Sequence, residues 1–265
     1  MTTKSSISIL LLCLTAAFIT PLSATESDTA KELRWAEQVV DGLLDGDDLW
    51  LDDGSGHEFL GILTEGDSAS GRAVMLMHGL GVHPNWPDVI YPLRSGLLNH
   101  GITTLSIQMP ILANGADERE YLRLLPEVAG RIDAALDSLA AGGYSNVVLV
   151  GHSMGGSMMM HYLSANPSSA VTSVVVIGIG AGVGARTVGV ENIDALGKVR
   201  VPLLDLYGSD DLDTVLSSVT ARAAAATGVP EYRQIRVIGA NHFFQGQEAA
   251  LVQNVFEWLN AQSKP

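Results

Sequence analysis

A serine between two glycines is the first feature of this sequence that could carry chemistry. Gly151-His152-Ser153-Met154-Gly155 follows an apolar run that predicts a buried strand, and a helix-forming stretch comes after it. A tight strand-to-helix turn of this pattern leaves no room for bulky neighbours and lifts the serine hydroxyl clear of the backbone. The start of a helix also favours negative charge that develops beside it. We therefore expect Ser153 to be a nucleophile.

A serine hydroxyl needs a base before it can attack, and histidine is the common choice. The sequence contains seven histidines. Only His242 both follows Ser153 and falls in a loop directly after a predicted strand, where it could reach the serine. His161 falls inside the helix predicted after the serine, and His152 lies within the turn itself. We interpret these two as structural and His242 as the base.

The carboxylate that orients the base should follow the strand between the serine and His242. The predicted strand 203–207 leads into Gly208-Ser209-Asp210-Asp211. A carboxylate here would hold the imidazole in one tautomer and stabilise its charged form. Asp210 and Asp211 are both candidates at this stage. Two poorer candidates lie within the strand or further along the loop: Asp205 and Asp213.

The negative oxygen that forms when a serine attacks a carbonyl needs hydrogen-bond donors. The N–H of Met154, directly after the nucleophile, is one candidate. The second should come from His78-Gly79-Leu80-Gly81, which follows the predicted strand 73–77, and we choose the Leu80 N–H. We interpret His78 and His83 as structural, because no carboxylate or further histidine stands near them at metal-ligand spacing. We expect no metal and no cofactor.

These residues need a sheet whose strands end on one side. The predicted strands are 49–51, 59–63, 73–77, 103–107, 146–150, 171–177, 203–207 and 232–238. The predicted helices are 29–44, 87–100, 118–140, 153–164, 214–225 and 248–261. From residue 73 onward strand and helix alternate, which indicates a mainly parallel sheet covered by helices on both faces. Ligands of such sheets bind beyond the carboxyl ends of the strands.

Composition and charge limit the partners. The chain has 265 residues, of which 47% are hydrophobic, and this suits one globular domain. Its formal net charge of −14 argues against nucleic acid and anionic lipid as partners. Cys13 is the only cysteine and lies in the N-terminal apolar run. A mature chain without it would have no disulfide, thiolate nucleophile or cysteine-ligated metal.

The N-terminus has the pattern of a secretory signal. Lys4 precedes the apolar run from Ile7 to Ile19, and the small residue Ala24 follows shortly afterwards. We predict a signal peptide over residues 1–24, a single domain over residues 25–265 and a periplasmic or secreted location. An uncleaved membrane anchor is the alternative, although the run is shorter than the roughly 20 residues of a comfortable span. We expect no stable membrane insertion after cleavage.

With these motifs in place, the sequence resembles the α/β-hydrolase superfamily over about residues 47–262. The resemblance implies the α/β-hydrolase fold: a mainly parallel, twisted sheet of about eight strands, with helices on both faces. It also implies a serine hydrolase acting on a small-molecule ester or related acyl substrate. Many members place the acid three residues after a strand-ending glycine, which selects Asp211. The stretches His78–Pro87 and Leu105–Pro110 are further similar to a group of exported proteobacterial hydrolase-like proteins.

The sequence leaves questions open about the pocket, the function and the assembly. Only the glycine-rich segment Gly178–Val201 fills the place where lipases of the superfamily carry a lid, which predicts a minimal cap. Trp86, Met109 and Ile111 either line a substrate pocket or belong to the core. A non-catalytic binding protein of the cell envelope is the competing function, because a fold does not imply an activity. The oligomeric state is not predicted.

Overall fold

The computed structural model describes residues 26–67, 71–165, 170–185 and 188–262. The strands are β1 (Asp47–Asp52), β2 (Glu58–Thr64), β3 (Arg72–Met77), β4 (Thr103–Ile107), β5 (Asn146–His152), β6 (Val171–Ile177), β7 (Val183–Ala185), β8 (Val188–Val190), β9 (Leu203–Asp210) and β10 (Arg233–Asn241). Eight of them form a central sheet in the order β1-β2-β4-β3-β5-β6-β9-β10, and β7 and β8 form a separate hairpin.

Strand β2 pairs antiparallel with both β1 and β4, and every other pairing in the large sheet is parallel. The parallel strands therefore finish at one edge, and the loops that carry the candidate residues gather there. The fold is the α/β-hydrolase fold that the sequence predicts.

The central strands are apolar on both faces, and this dictates the layers. On β5, Val147 and Leu149 pack into one core cluster, while Val148 and Val150 pack into a second cluster on the other face. Successive side chains of a strand point to opposite faces, so a strand of this composition must be covered on both sides.

The covering helices supply the rest of both cores. The helices are α1 (Thr29–Asp41), α2 (Ile90–Leu98), α3 (Leu125–Ala141), α4 (Met154–Ala165), α5 (Asn192–Leu196), α6 (Asp213–Leu216), α7 (Val219–Ala225) and α8 (Glu248–Ala261). Residues of α3 and α4 belong to the first cluster, and residues of α2 and α8 to the second. None of the helices in the described ranges is long and apolar enough to cross a membrane.

Two predicted helices are each divided in the structure. The helix predicted over 118–140 begins as a 3₁₀ helix, Glu118–Leu124, and becomes α3 at Leu125, with Pro126 in its first turn. Proline lacks the N–H that a continuous helix would need there, so it favours a new start. The helix predicted over 214–225 is divided into α6 and α7.

The segment between β6 and β9 contains more structure than its glycines predict. Strands β7 and β8 pair antiparallel as a short hairpin, and α5 follows. The hairpin contacts the 3₁₀ helix Glu118–Leu124 across the carboxyl edge of the sheet. No larger insertion stands between β6 and β9, so the cap is small.

Candidate active site

Ser153 occupies the single residue between strand β5 and helix α4 and has a φ of 52°. A positive φ is unusual for a residue other than glycine and stores strain that the surroundings must support. The glycines on either side of Ser153 are needed because neighbouring backbone atoms pack too closely there to leave room for a Cβ. A Cβ on Gly151 would stand 2.6 Å from the Cα of Gly156, and one on Gly155 would stand 2.2 Å from the carbonyl oxygen of His78. The sequence motif is thus a steric requirement of the turn.

His242 lies beside Ser153. The loop after β10 brings its Nε2 to 3.0 Å from the Ser153 Oγ. The His242 side chain is buried apart from a small exposed fraction. A neutral imidazole with its proton on Nδ1 would accept a hydrogen bond from the serine hydroxyl at this distance.

Asp211 lies on the other side of the imidazole. Its Oδ1 is 2.6 Å from the His242 Nδ1 and also accepts a hydrogen bond from the Leu212 N–H at 2.8 Å. Its Oδ2 accepts one from the Gly208 N–H at 3.2 Å. Burial raises the pKa of the Asp211 carboxyl, but the hydrogen bond and charge of His242 and the two backbone donors together hold the pKa below its usual value. The carboxylate is therefore charged at neutral pH.

The other aspartates lie elsewhere. Asp210 is exposed and accepts a hydrogen bond from the Ser209 hydroxyl. Asp205 is fully buried and forms an ion pair with Arg222 at 2.8 Å. Asp213 begins helix α6. The structure therefore brings Ser153 and His242 together with Asp211 and with no other aspartate of this segment.

The His152 ring contacts the backbone of His242. Burial, followed by the nearby charge of His242, lowers the pKa of His152 to about 4, so the ring is neutral. Its Nε2 lies 3.0 Å from the carbonyl oxygen of His242, to which a neutral ring can donate. This bond ties the loop of His242 to the end of β5, directly before Ser153. His161 lies on α4, as the sequence predicts, and does not line the cavity described below.

His78 fixes the loop that contains Leu80. Its Nε2 accepts from the Met109 N–H at 2.9 Å, so the proton must be on Nδ1, which lies 2.8 Å from the Gly79 carbonyl oxygen. Burial lowers the pKa of His78 to about 3 and keeps the ring neutral. In a trans peptide the N–H points opposite to the carbonyl. The Gly79 carbonyl faces His78, and the Leu80 N–H is therefore turned away from that ring. Leu80 and Met154 both line the cavity that holds Ser153.

That cavity has a volume of about 410 Å³. Its wall is mainly apolar: Leu80, Val82, Trp86, Ile179, Val183, Leu212, Val215 and Phe243. The polar side chains on the wall include Ser157, Thr214 and Glu118. The volume falls in the range usual for small-molecule sites.

Of the three pocket residues considered from the sequence, only Trp86 lines this cavity, and it packs edge-on against His83. Met109 and Ile111 do not. Each is 1% exposed and belongs to the core cluster that α3 and α4 cover. Sequence reasoning missed Leu212 and Phe243, although a signal existed. Each directly follows a predicted site residue at the carboxyl edge of the sheet.

No group of three or more histidine, cysteine, aspartate or glutamate side chains comes together at metal-binding distance within the described ranges.

Comparison with solved structures agrees with this architecture. Est1E from Butyrivibrio proteoclasticus aligns with a TM-score of 0.63 at 14% identity, covering 82% of this chain and 99% of that one. A dienelactone hydrolase from Anabaena variabilis gives 0.63 at 22% identity, covering 82% and 97%. An esterase from Pyrococcus furiosus gives 0.64 at 16% identity, covering 84% and 95%. At these identities the similarity establishes the fold, which is the α/β-hydrolase fold.

The family follows from the sequence match. The family described as "Protein of unknown function (DUF3530)" matches residues 9–129 and 113–261. These matches span most of the chain, and the protein belongs to this family. No curated protein matches the sequence significantly.

Proposed function

We propose that this protein is a serine hydrolase that cleaves a carboxylic ester or related acyl bond through a covalent acyl-enzyme on Ser153. The observation that carries the proposal is the chain of contacts from the Ser153 Oγ to the His242 Nε2 at 3.0 Å and from the His242 Nδ1 to Asp211 at 2.6 Å. The structural similarity to esterases and a dienelactone hydrolase supports the same class of chemistry.

In the proposed reaction, His242 Nε2 takes the proton of the Ser153 hydroxyl as the oxygen attacks the substrate carbonyl carbon. The negative charge of Asp211 stabilises the imidazolium that results and holds the proton on Nδ1. The tetrahedral intermediate then collapses as His242 returns its proton to the leaving oxygen. A water molecule, deprotonated by the same imidazole, attacks the acyl-enzyme and releases the acid, with Ser153 regaining its proton.

The carbonyl oxygen becomes negative in both tetrahedral intermediates and needs donors that are already in place. We assign this role to the backbone N–H groups of Leu80 and Met154. Two contacts support the assignment: His78 turns the Gly79–Leu80 peptide, and the carbonyl of His78 packs directly against Gly155 at the start of α4. The loop and the helix therefore keep a fixed separation across the site.

The cavity favours an uncharged substrate. Its wall is mainly apolar, and Glu118 is the acidic side chain on it. An anionic substrate would meet this carboxylate and would lose its hydration against apolar side chains. We propose small neutral acyl substrates.

We also propose that the protein is exported after removal of residues 1–24, which lie outside the described residues. N-terminal sequencing of periplasmic or secreted material tests export, and an intact Met1 would contradict cleavage.

The decisive experiment for the activity uses a fluorophosphonate probe and para-nitrophenyl esters of short acids on purified protein. We expect labelling and hydrolysis by the wild type, and neither by Ser153→Ala with an unchanged fold. Loss of a triad member usually costs several orders of magnitude in rate. Ser164→Ala, a serine of the same helix outside the cavity, is the matched control. An unlabelled wild-type protein that binds ligands without turnover would be a binding protein, and the proposal would fail.

A further inference from the structure

Ser157 lies in the first turn of α4, where its backbone N–H donates to the Ser153 carbonyl oxygen at 3.0 Å. Ser157 and Ser153 line the same cavity. Ser157 is 3% exposed, and its Oγ accepts a hydrogen bond from the Nδ2 of Asn192 at 2.9 Å. A buried hydroxyl in contact with the cavity is therefore held by a fully buried amide.

The direction of that hydrogen bond is fixed by a third group. The Asn192 Nδ2 also lies 3.1 Å from the carbonyl oxygen of Gly180, which can only accept. If the amide were rotated by 180°, the Asn192 Oδ1 would face the Gly180 carbonyl oxygen, and both atoms are acceptors. The NH₂ group must therefore face both Gly180 and Ser157. Ser157 is thus the acceptor, and its own proton has no acceptor among the described residues.

A buried hydroxyl donor without an acceptor costs free energy, and the cavity is the side on which Ser157 remains open. The leaving oxygen of the substrate must stay within reach of His242. A leaving group on the side of His242 and Phe243 would leave the part of the cavity beside Ser157 for the acyl chain.

We propose that the Ser157 hydroxyl donates a hydrogen bond to an oxygen in the acyl chain of the substrate, so that the preferred substrates are esters of acids with a hydroxy, alkoxy or oxo group a few bonds from the carbonyl. The inference rests on the proposed hydrolase function. Asn192 acts through Ser157 as a positioning residue, since it sets the direction of the donor without touching the substrate.

The test compares para-nitrophenyl pentanoate with two ethers of the same chain length, the ethoxyacetate and the β-methoxypropanoate. The kcat/KM values are divided by the rates of hydroxide hydrolysis, which removes differences in intrinsic reactivity. An ether oxygen in a pocket with no donor would lose its hydrogen bonds to water, and the ether would be the poorer substrate. We expect the wild type instead to prefer one of the ethers by about 3- to 10-fold, the value of one neutral hydrogen bond.

Variants then locate the donor. Ser157→Ala should remove this preference, and Ser157→Cys serves if the alanine variant does not fold. Ser157→Thr keeps the hydroxyl and should retain the preference in part. Ser164→Ala should leave it unchanged, and Thr214→Val removes another hydroxyl of the cavity wall. A ratio of two substrates is insensitive to the fraction of folded enzyme, so a purely structural effect would not move it.

Each outcome decides the inference. A wild-type enzyme that prefers neither ether overturns it without any variant. It is also overturned if the preference survives in Ser157→Ala. In that case, loss of the preference in Thr214→Val would identify Thr214 as the donor instead. In these cases hydrolysis of the pentanoate with labelling of Ser153 would leave the proposed function intact. A protein that hydrolyses none of the esters and is not labelled would overturn both.

Discussion

Replacing Asp211 by asparagine removes one charge and almost no volume. The carboxylate accepts three hydrogen bonds, from the His242 Nδ1 and from the N–H groups of Leu212 and Gly208. An asparagine amide has one acceptor and one donor end, so one of these donors must lose its partner. If the NH₂ group turns toward His242, the imidazole proton moves to Nε2, and the ring can no longer accept the proton of Ser153.

The size of the effect follows from this geometry. A carboxylate and an imidazolium with charge centres about 4 Å apart attract by about 4 kcal/mol at an effective dielectric constant of about 20. Losing this attraction in the transition state lowers kcat about 10³-fold, at about 1.4 kcal/mol for each factor of ten. The wrong tautomer raises the loss to about 10⁴-fold. We expect Asp211→Asn to fall between these values.

The assay measures kcat on a short-chain para-nitrophenyl ester, with thermal unfolding of each variant recorded alongside. Asp210→Asn is the matched control, since Asp210 is exposed and its hydrogen-bond partner is the neighbouring Ser209. A surface substitution of this kind should keep kcat within about twofold. More than about a tenth of the wild-type kcat in Asp211→Asn, or an inactive Asp210→Asn beside an active Asp211→Asn, would refute the assignment of the acid.

Three further predictions concern stability and substrate size. The free energy of unfolding should be about 1 kcal/mol higher for Ser153→Gly than for Ser153→Ala, because glycine adopts the φ of 52° without strain. Equal denaturation midpoints of the two variants would contradict this. Burial lowers the pKa values of His78, His83 and His152 to about 3, 4 and 4 from 6.5, so these rings bind protons in the unfolded chain before they do so in the folded protein. Stability should therefore fall as the pH drops from 6.5 toward 4, and urea unfolding at an unchanged midpoint over this range would be evidence against it. Rates should peak on short or medium acyl chains, because the described residues between β6 and β9 form only a small cap, and a maximum on long, micellar esters would show otherwise.

The elements that the sequence predicts best are those whose pattern is local. Strands β4 and β6 begin and end where predicted, because each is a short run of apolar and β-branched residues. The contacts among Ser153, Asp211 and His242 could be anticipated for a related reason. Each residue follows a strand, and parallel strands end on one side of the sheet whatever the details of packing.

The remaining features depend on contacts between distant parts of the chain. The hairpin of β7 and β8 is held against the 3₁₀ helix Glu118–Leu124, which lies about sixty residues earlier. Met109 and Phe243 show the same limit for single side chains. Both are large and apolar and follow a strand, yet Met109 is in the core and Phe243 lines the cavity. The one local difference is that Phe243 directly follows His242, a predicted site residue.

Met109 nevertheless matters to the site, through its backbone. Its N–H donates to the Nε2 of His78, and this hydrogen bond forces the proton of His78 onto Nδ1, where it meets the Gly79 carbonyl. A neutral imidazole accepts at one nitrogen and donates at the other, whereas an imidazolium could not accept from Met109. Burial keeps His78 neutral, and His152 remains neutral for the same reason while it holds the His242 carbonyl. Two histidines outside the proposed reaction thus set the backbone on both sides of Ser153, and their burial protects that arrangement against protonation at neutral pH.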